Sequence, residues 1–122
     1  MTNYLDENNN TVKFTINESK IYPNLKLELL NNDTNELIDL DITNATDLSS
    51  NTTLWNEFDF TEIETLNNIT IEVGSYMYFI YNYDSNNEYL IEVGIIFNNY
   101  RPTFNDISEH EINSERKSYN PD

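Results

Sequence analysis

The sequence predicts an all-β protein, an antiparallel β-sandwich of about seven short strands with an extended C-terminal arm. Apolar and polar residues alternate in several short runs, which is the pattern of strands with one buried face. Clusters of Asn, Asp, Ser and Thr separate these runs and favour turns. With 122 residues, the chain is long enough for one domain with a core and too short for two. We expect an N-terminal arm over residues 1–10, a sandwich domain over 11–99 and the C-terminal arm over 100–122.

Three alternating runs lie in the first part of the domain. Residues 12–16 predict a first strand, and residues 25–29 predict a second strand. The polar residues 31–35 predict a turn, after which residues 38–42 return as the second strand of a hairpin. The leucines of the second run are also compatible with a helix, but the charged residues follow a period of two better than a period of 3.6.

A short strand with two large aromatic anchors follows a polar loop over residues 43–53. Phe58 and Phe60 lie on the same side of this predicted strand, because side chains alternate between the two faces. Ile63 and Leu66 either complete the strand or pack beneath the corner that follows it.

The densest apolar content lies in the last part of the domain and predicts a three-stranded meander. Residues 69–73 alternate and predict a strand with one exposed face. Residues 76–83 are apolar or aromatic on both sides, which predicts a central strand covered on both faces. Residues 84–87 supply a turn, and residues 88–97 a third strand. Gly94 within this strand indicates a bulge or a close approach of another chain segment.

The charge of the chain restricts its partners. It has 22 acidic and 6 basic residues, for a net charge of −16. Such a surface repels nucleic acid and anionic membranes, so we expect no direct contact with either. The sequence has no apolar run long enough to span a bilayer and no N-terminal signal segment, which predicts a protein made in the cytoplasm without secretion.

The sequence contains no recognisable catalytic, cofactor or metal site. It lacks cysteine, and its one histidine, His110, lies in the predicted C-terminal arm without a pocket before it. With two glycines it has no phosphate-binding loop. Carboxylates are abundant, but no pair is distinguished for acid and base catalysis, and none matches a calcium-binding loop. We therefore expect no enzyme, no cofactor and no dedicated metal site, although an adventitious calcium ion on so acidic a surface is possible.

The C-terminal arm predicts an interface with other chains. Residues 100–122 lack strand periodicity, yet they carry isolated apolar residues and three of the six basic residues. So polar a segment buries little of itself, which favours contact with a neighbour. The residues expected at this interface are Tyr100, Arg101, Phe104, Ile107, Ile112, Arg116 and Tyr119.

The segment that begins with Gly74, Ser75 and Tyr76 resembles the corner between strands E and F of immunoglobulin-like sandwiches. This resemblance implies an immunoglobulin-like architecture, with Gly74 and Tyr76 as structural corner residues and the Tyr76 hydroxyl bonded back to the backbone. The two cysteines and the core tryptophan of antibody domains are missing, so the likeness concerns architecture alone.

A second resemblance covers roughly residues 66–122. The motifs that carry it are Gly74-x-Tyr76-x-Tyr78-x-Ile80-Tyr81, Leu90-Ile-Glu-Val-Gly94-Ile-Ile, Asn-Asn-Tyr100-Arg-Pro102 and Lys117-Ser-Tyr119-Asn-Pro. They resemble small immunoglobulin-like virion proteins of tailed bacteriophages, namely crAss-like and other phages of Bacteroidota. The resemblance implies a structural subunit of the virion that decorates the capsid or sits in the head-to-tail region, attached through its C-terminal arm. Its implied partners are major capsid, portal or neck proteins and copies of itself.

Two other functions remain open from the sequence. An acidic phage-encoded inhibitor could imitate DNA phosphates and block a host nuclease or another defence enzyme. A carbohydrate-binding or cell-surface-binding sandwich would need exposed aromatic side chains, whereas aromatic residues in central strands usually belong to the core.

Overall fold

The computed structural model describes residues 1–16, 21–49 and 55–99. These contain seven strands and one helix: β1 (Thr2–Leu5), β2 (Thr11–Phe14), β3 (Asn24–Asn31), β4 (Leu37–Asp41), β5 (Asn56–Asp59), α1 (Phe60–Leu66), β6 (Gly74–Tyr83) and β7 (Glu88–Asn98). One five-stranded sheet has the order β1-β7-β6-β3-β4, and β2 pairs with β5 in a second sheet. The predicted all-β class is confirmed. The expected C-terminal arm lies outside the described residues.

The two sheets share one hydrophobic core. Phe14 of β2 packs on Tyr78 of β6, with ring centroids 5.0 Å apart, and on Phe58 of β5, with centroids 5.9 Å apart. The alternate residues of β3, among them Leu27 and Leu29, are buried against them. Each large apolar side chain that is fully buried in this way stabilises the fold by about 1.5–3 kcal/mol.

The predicted β3–β4 hairpin is confirmed. Leu29 lies opposite Ile38 in an antiparallel register, and the turn between the strands falls in the predicted polar segment. The Asn31 side chain accepts hydrogen bonds from the backbone N–H groups of Asp33 and Thr34. Asn35 has a φ of 62°, a conformation that asparagine tolerates better than most residues.

The prediction of an N-terminal arm over residues 1–10 is wrong for Thr2–Leu5. These residues form β1, which pairs in parallel with β7 at the edge of the large sheet. Leu5 is buried, and the Asn3 amide joins β1 to the other sheet. Its Oδ1 accepts from the Lys13 backbone N–H at 2.8 Å, and its Nδ2 donates to the Lys13 carbonyl at 3.0 Å. A polar residue at a buried position hid this strand from the alternation pattern.

Residues 69–73 do not form the strand that their alternation predicts. The backbone groups of Ile71 and Glu72 bond to side chains instead of to a partner strand. The Ile71 N–H donates to the Glu64 carboxylate at 2.7 Å, and the Asn98 amide donates to the carbonyls of Ile71 and Glu72 at 3.0 and 2.9 Å. The predicted three-stranded meander therefore reduces to the β6–β7 hairpin, whose turn over residues 84–87 is confirmed.

The predicted strand through Phe58 and Phe60 ends at Asp59. The Asp59 carboxylate accepts the backbone N–H of Thr61 at 2.9 Å and caps the N-terminus of α1, which begins at Phe60. Phe60 and Ile63 are buried on the inner side of this helix. Ile63 thus packs beneath the corner and does not extend the strand.

Gly94 provides the close approach that its position in β7 predicts. A Cβ at this residue would lie 2.5 Å from two ring carbons of Tyr78 and closer still to the carbonyl oxygen of Met1. The bulge lies nearer to the turn, where the register shifts after Ile80 and leaves Ile91 as the extra residue.

Candidate functional site

The five-stranded sheet has an outer face that points away from the core and carries large apolar side chains. We define the outer sheet face by the residues that alternate with the buried ones or lie opposite them: Thr2, Tyr4, Asn24, Lys26, Glu28, Leu30, Leu37, Asp39, Asp41, Ser75, Met77, Phe79, Tyr81, Tyr83, Glu88, Leu90, Val93, Ile95 and Phe97. β6 is central in the sheet, as predicted. Its predicted cover on both faces is wrong, because Tyr78 and Ile80 are buried whereas Met77 on the outer side is exposed.

One part of this face, on β1, β7 and β6, is apolar. This apolar half consists of Tyr4, Met77, Phe79, Leu90, Val93, Ile95 and Phe97. Met77 lies directly opposite Ile95, and Phe79 lies directly opposite Val93, so the side chains adjoin across the strands. Val93 is 44% exposed and Leu90 is 50% exposed.

Ring stacking extends the apolar half to the edge of the sheet. Tyr4 of β1 stacks on Phe97 of β7, with ring centroids 5.1 Å apart and planes 14° from parallel. Tyr4 nevertheless remains exposed. The apolar half therefore runs without a break from β1 to β6. Contiguous exposed apolar surface of this kind is uncommon on monomeric proteins and marks interaction sites.

Another part of the face, at one end of β3 and β4 and at the start of β7, is acidic, whereas Leu30 and Leu37 at the other end of β3 and β4 continue the apolar surface beside Met77. This acidic half consists of Glu28, Asp39, Asp41 and Glu88, which lie around Lys26. Glu28 lies directly opposite Asp39 in the antiparallel register. The Lys26 Nζ is 3.3 Å from the Glu88 carboxylate and 3.8 Å from that of Glu28, and it lies 5.0 Å from the centre of the Tyr81 ring.

The charges of the acidic half perturb one another. Partial burial raises the pKa of Glu28, and the neighbouring Asp39 raises it further, against the opposing effect of Lys26. Burial alone would lower the pKa of Lys26, but its carboxylate neighbours, Glu88 foremost, raise it overall. Lys26 is thus already engaged, and the repulsion between Glu28 and Asp39 is only partly offset.

The outer face of the two-stranded sheet has a different character. Its outward residues are Thr11 and Lys13 of β2 and Glu57 and Asp59 of β5, in pairs that lie opposite each other. Lys13 also lies 4.9 Å from the centre of the Trp55 ring. These polar and charged side chains are suited to water. Of the two sheets, only the larger one therefore presents an apolar outer surface in the described part of the chain.

Asparagine side chains occupy part of both edges of the large sheet. The Asn67 amide accepts from the Asp41 N–H at 2.8 Å and donates to the Asp41 carbonyl at 3.0 Å, as a neighbouring strand would. At the opposite edge, Asn9 donates to the Tyr4 carbonyl at 2.6 Å. Since these groups would otherwise be open to a further strand, the face is more accessible to a partner than the edges are.

The residues singled out from the sequence have different positions. The Tyr76 hydroxyl donates to the Glu72 carbonyl at 2.7 Å, which is a bond of the predicted kind, although no strand precedes the corner. Gly74 is the first residue of β6. The expected interface residues Tyr100, Arg101, Phe104, Ile107, Ile112, Arg116 and Tyr119 lie outside the described residues.

Sequence reasoning missed the outer sheet face, although a signal for it was present. Both β6 and β7 carry apolar residues on both parities. This pattern is typical either of a strand covered on both sides or of one whose second apolar face is left open. The sequence alone does not separate the two cases, because they differ only in what lies above the sheet.

The described part of this face has no candidate metal site. Among residues 1–16, 21–49 and 55–99, no group of three or more His, Cys, Asp and Glu side chains is placed to hold a metal ion. The described helix is neither long nor apolar enough to cross a membrane.

No protein-family model matches the chain, and neither a curated protein nor a solved structure gives a significant match.

Proposed function

We propose that this chain is a non-enzymatic structural protein that assembles with other proteins through its outer sheet face. The observation that carries the proposal is the apolar half, a contiguous group of exposed side chains on a sheet whose edges are partly closed. Burying a Val, Leu, Ile, Phe or Met side chain fully is worth about 1.5–3 kcal/mol, so half of that gain at several residues of the apolar half offsets a large part of the about 4–15 kcal/mol that association costs.

We further propose that the domain is an immunoglobulin-like sandwich. In this assignment β3, β6 and β7 take the places of strands C, F and G, with β4 as strand C′, and β2 and β5 correspond to strands B and E. The hydrogen bond from Tyr76 to Glu72 corresponds to the tyrosine corner, which closes the turn before strand F. Such sandwiches serve many functions, so this assignment supports the architecture and not the activity.

The setting that we propose is the particle of a tailed bacteriophage. The resemblance over residues 66–122 supports a subunit that decorates the capsid or lies in the head-to-tail region, beside major capsid, portal or neck proteins. The C-terminal arm, residues 100–122, is the second attachment in this proposal. Many copies on one particle allow each contact to be weak, because the other contacts keep the subunit close to its site.

Incorporation into particles tests this function. Particles purified from host cells that produce the chain are expected to contain it in a fixed ratio to the capsid protein. Leu90→Ser on the apolar half is expected to lower this ratio. Leu48→Ser is the matched control, because Leu48 is 52% exposed, close to the 50% of Leu90, and lies beside β5 of the other sheet. Removal of residues 103–122 is expected to leave a folded domain that no longer attaches.

Two results would contradict the proposal. If the chain is absent from purified particles and stays in the soluble fraction, it is not a virion subunit. If Leu90→Ser and Leu48→Ser are incorporated equally well, the outer sheet face is not the attachment surface.

An acidic inhibitor is the alternative, and the acidic half is the observation that favours it. A protein that imitates DNA would depend on Glu28, Asp39 and Asp41 and would bind a basic enzyme less tightly as salt increases. An inhibitor of this kind would not need the adjoining apolar half to bind its target. Inhibition of a nuclease that Asp39→Asn abolishes and Leu90→Ser leaves intact would favour this alternative.

A further inference from the structure

We infer that the partner of the outer sheet face is a protein surface with an apolar centre and lysine or arginine residues along one side, and not a second copy of this chain. The inference rests on the proposed function, since it specifies the chemistry of the same surface. It follows from the division of the face into two halves and from the charge of the whole chain.

The two halves lie side by side on one continuous sheet. Phe79 of the apolar half lies opposite Glu28, and Tyr81 lies opposite Lys26, so at these positions the boundary runs between β6 and β3. Beside Met77 the apolar surface continues across Leu30 to Leu37. A partner that covers both halves must change from apolar to polar across the same line. A purely apolar partner would bury the carboxylates of the acidic half without compensation, which is costly.

The acidic half contains two like charges that lie directly opposite each other. Glu28 and Asp39 face each other across neighbouring strands, an arrangement that destabilises a sheet. The side chain of Glu28 is only 16% exposed, so water screens it less than a surface group. Lys26 is the one basic residue on the described part of the face, and its Nζ already forms an ion pair with the Glu88 carboxylate. A basic group from a partner would relieve this repulsion.

A second copy of this chain does not suit the face. In a symmetric dimer each subunit offers the same surface, so a two-fold contact over the whole face brings the carboxylates either against carboxylates or against the apolar half, and both arrangements are unfavourable. Each chain also carries a net charge of −16, which adds repulsion at a distance. The described residues contain only two bases, Lys13 and Lys26, and Lys13 lies on the other sheet.

Two labelled peptides of equal length and charge test the partner chemistry on the full chain. One alternates leucine and lysine, and the other alternates serine and lysine. Fluorescence anisotropy at low and high ionic strength gives the affinity of each. We expect the leucine peptide to bind at least about tenfold more tightly than the serine peptide. Light scattering of the protein alone is expected to give the mass of a monomer at both ionic strengths.

Variants separate the contribution of the apolar half to peptide binding from that of the acidic half. Leu90→Ser is expected to weaken binding of the leucine peptide about fivefold at either ionic strength, whereas Leu48→Ser is expected to leave its affinity unchanged. The double variant Asp39→Asn/Asp41→Asn is expected to bind the leucine peptide with an affinity that depends less on ionic strength. Glu7→Gln/Glu72→Gln removes the same number of charges at exposed positions outside the outer sheet face and serves as the control.

Three outcomes would overturn the inference. Equal binding of the two peptides would show charge attraction without recognition of the apolar half. Equal salt dependence for the two double variants would remove the role of the acidic half. A dimer that Leu90→Ser dissociates would identify the occupant as a second copy. Each of these results leaves incorporation into particles as a separate test, so the proposed function and the partner chemistry can fail independently.

Discussion

Replacing Asp39 by Asn is expected to make the protein more stable, because Asp39 faces Glu28 across two strands. Like charges in this position cost roughly 0.2–1 kcal/mol. The Glu28 side chain is 16% exposed, which favours the upper part of that range, and the exposure of Asp39 favours the lower part. We therefore expect Asp39→Asn to raise the free energy of unfolding by about 0.5 kcal/mol at neutral pH.

The gain has a defined pH dependence. The folded protein raises the pKa of Glu28, through burial and then through Asp39, so the folded state holds this proton more readily than the unfolded chain does. The cost of the pair is therefore fully present above the raised pKa and disappears as the pH falls through it. The advantage of Asp39→Asn over the original protein is expected to shrink in the same interval.

Urea unfolding at a series of pH values measures both effects. Asp33→Asn removes the same charge from the exposed β3–β4 turn and is the control for a general change in net charge. An Asp39→Asn protein no more stable than Asp33→Asn at neutral pH would refute the argument. So would a gain that persists after the carboxylates have become protonated.

Three further predictions concern residues that stabilise the fold and lie outside the outer sheet face. Asn3→Ala is expected to cost about 1–3 kcal/mol in urea unfolding, because it leaves both backbone groups of Lys13 without their partner; no loss of stability would contradict this. Gly94→Ala is expected to cost about 1–3 kcal/mol and to expose β1 to hydrogen exchange, because the new methyl group meets the Tyr78 ring and also the Met1 carbonyl oxygen, which joins the start of β1 to the Ile95 N–H; unchanged exchange of β1 would oppose this. Burial would raise the pKa of Asp47, but hydrogen bonds from Asn56, Ser49 and Glu57 lower it to about 2. The stability that Asp47 contributes is thus present above its ordinary pKa and lost as the pH falls from about 4 towards 2. Protease cleavage near residue 47 is therefore expected to be slower in the original protein than in Asp47→Asn at about pH 5, and this difference is expected to disappear as the pH falls through that interval; a ratio that does not change with pH would contradict this.

The hairpins of the fold were predictable because their signals are local. Alternation in β3 and β4 and the asparagine-rich turn between them act over a few residues, and the structure contains this hairpin as expected. The β6–β7 hairpin follows from the same logic, with Asp84 accepting the backbone N–H groups of Asn86 and Asn87 in the turn. Burial of one face of each strand and the chemistry of the turn residues are enough to predict both hairpins.

The parts that failed depend on asparagine in buried positions. The sequence suggests that asparagine serves mainly in turns. The structure also uses buried asparagine side chains to bond backbone groups that lack a strand partner, at Asn3, Asn82 and Asn98. Asn82, for example, accepts from the N–H groups of Ile21 and Tyr22 and donates to the carbonyls of Tyr22 and Asn24. Such contacts join residues far apart in the chain, and no local pattern encodes them.

The outer sheet face could not be located from the sequence for a related reason. An apolar residue on the second side of a strand has the same identity whether another layer covers it or not. Val93 and Ile95 would suit a strand buried on both sides, yet they are exposed. Only the arrangement of the two sheets decides this, since the two-stranded sheet covers the inner side alone.

The most direct test of the docking face is the oxidation of Met77 by hydroxyl radicals, in the free protein and in purified particles. Met77 lies within the apolar half and is 36% exposed. We predict that Met77 is oxidised in the free protein and protected in the particle, while Leu48, which lies beside β5 of the other sheet, reacts similarly in both. Equal oxidation of Met77 in the two samples would contradict it.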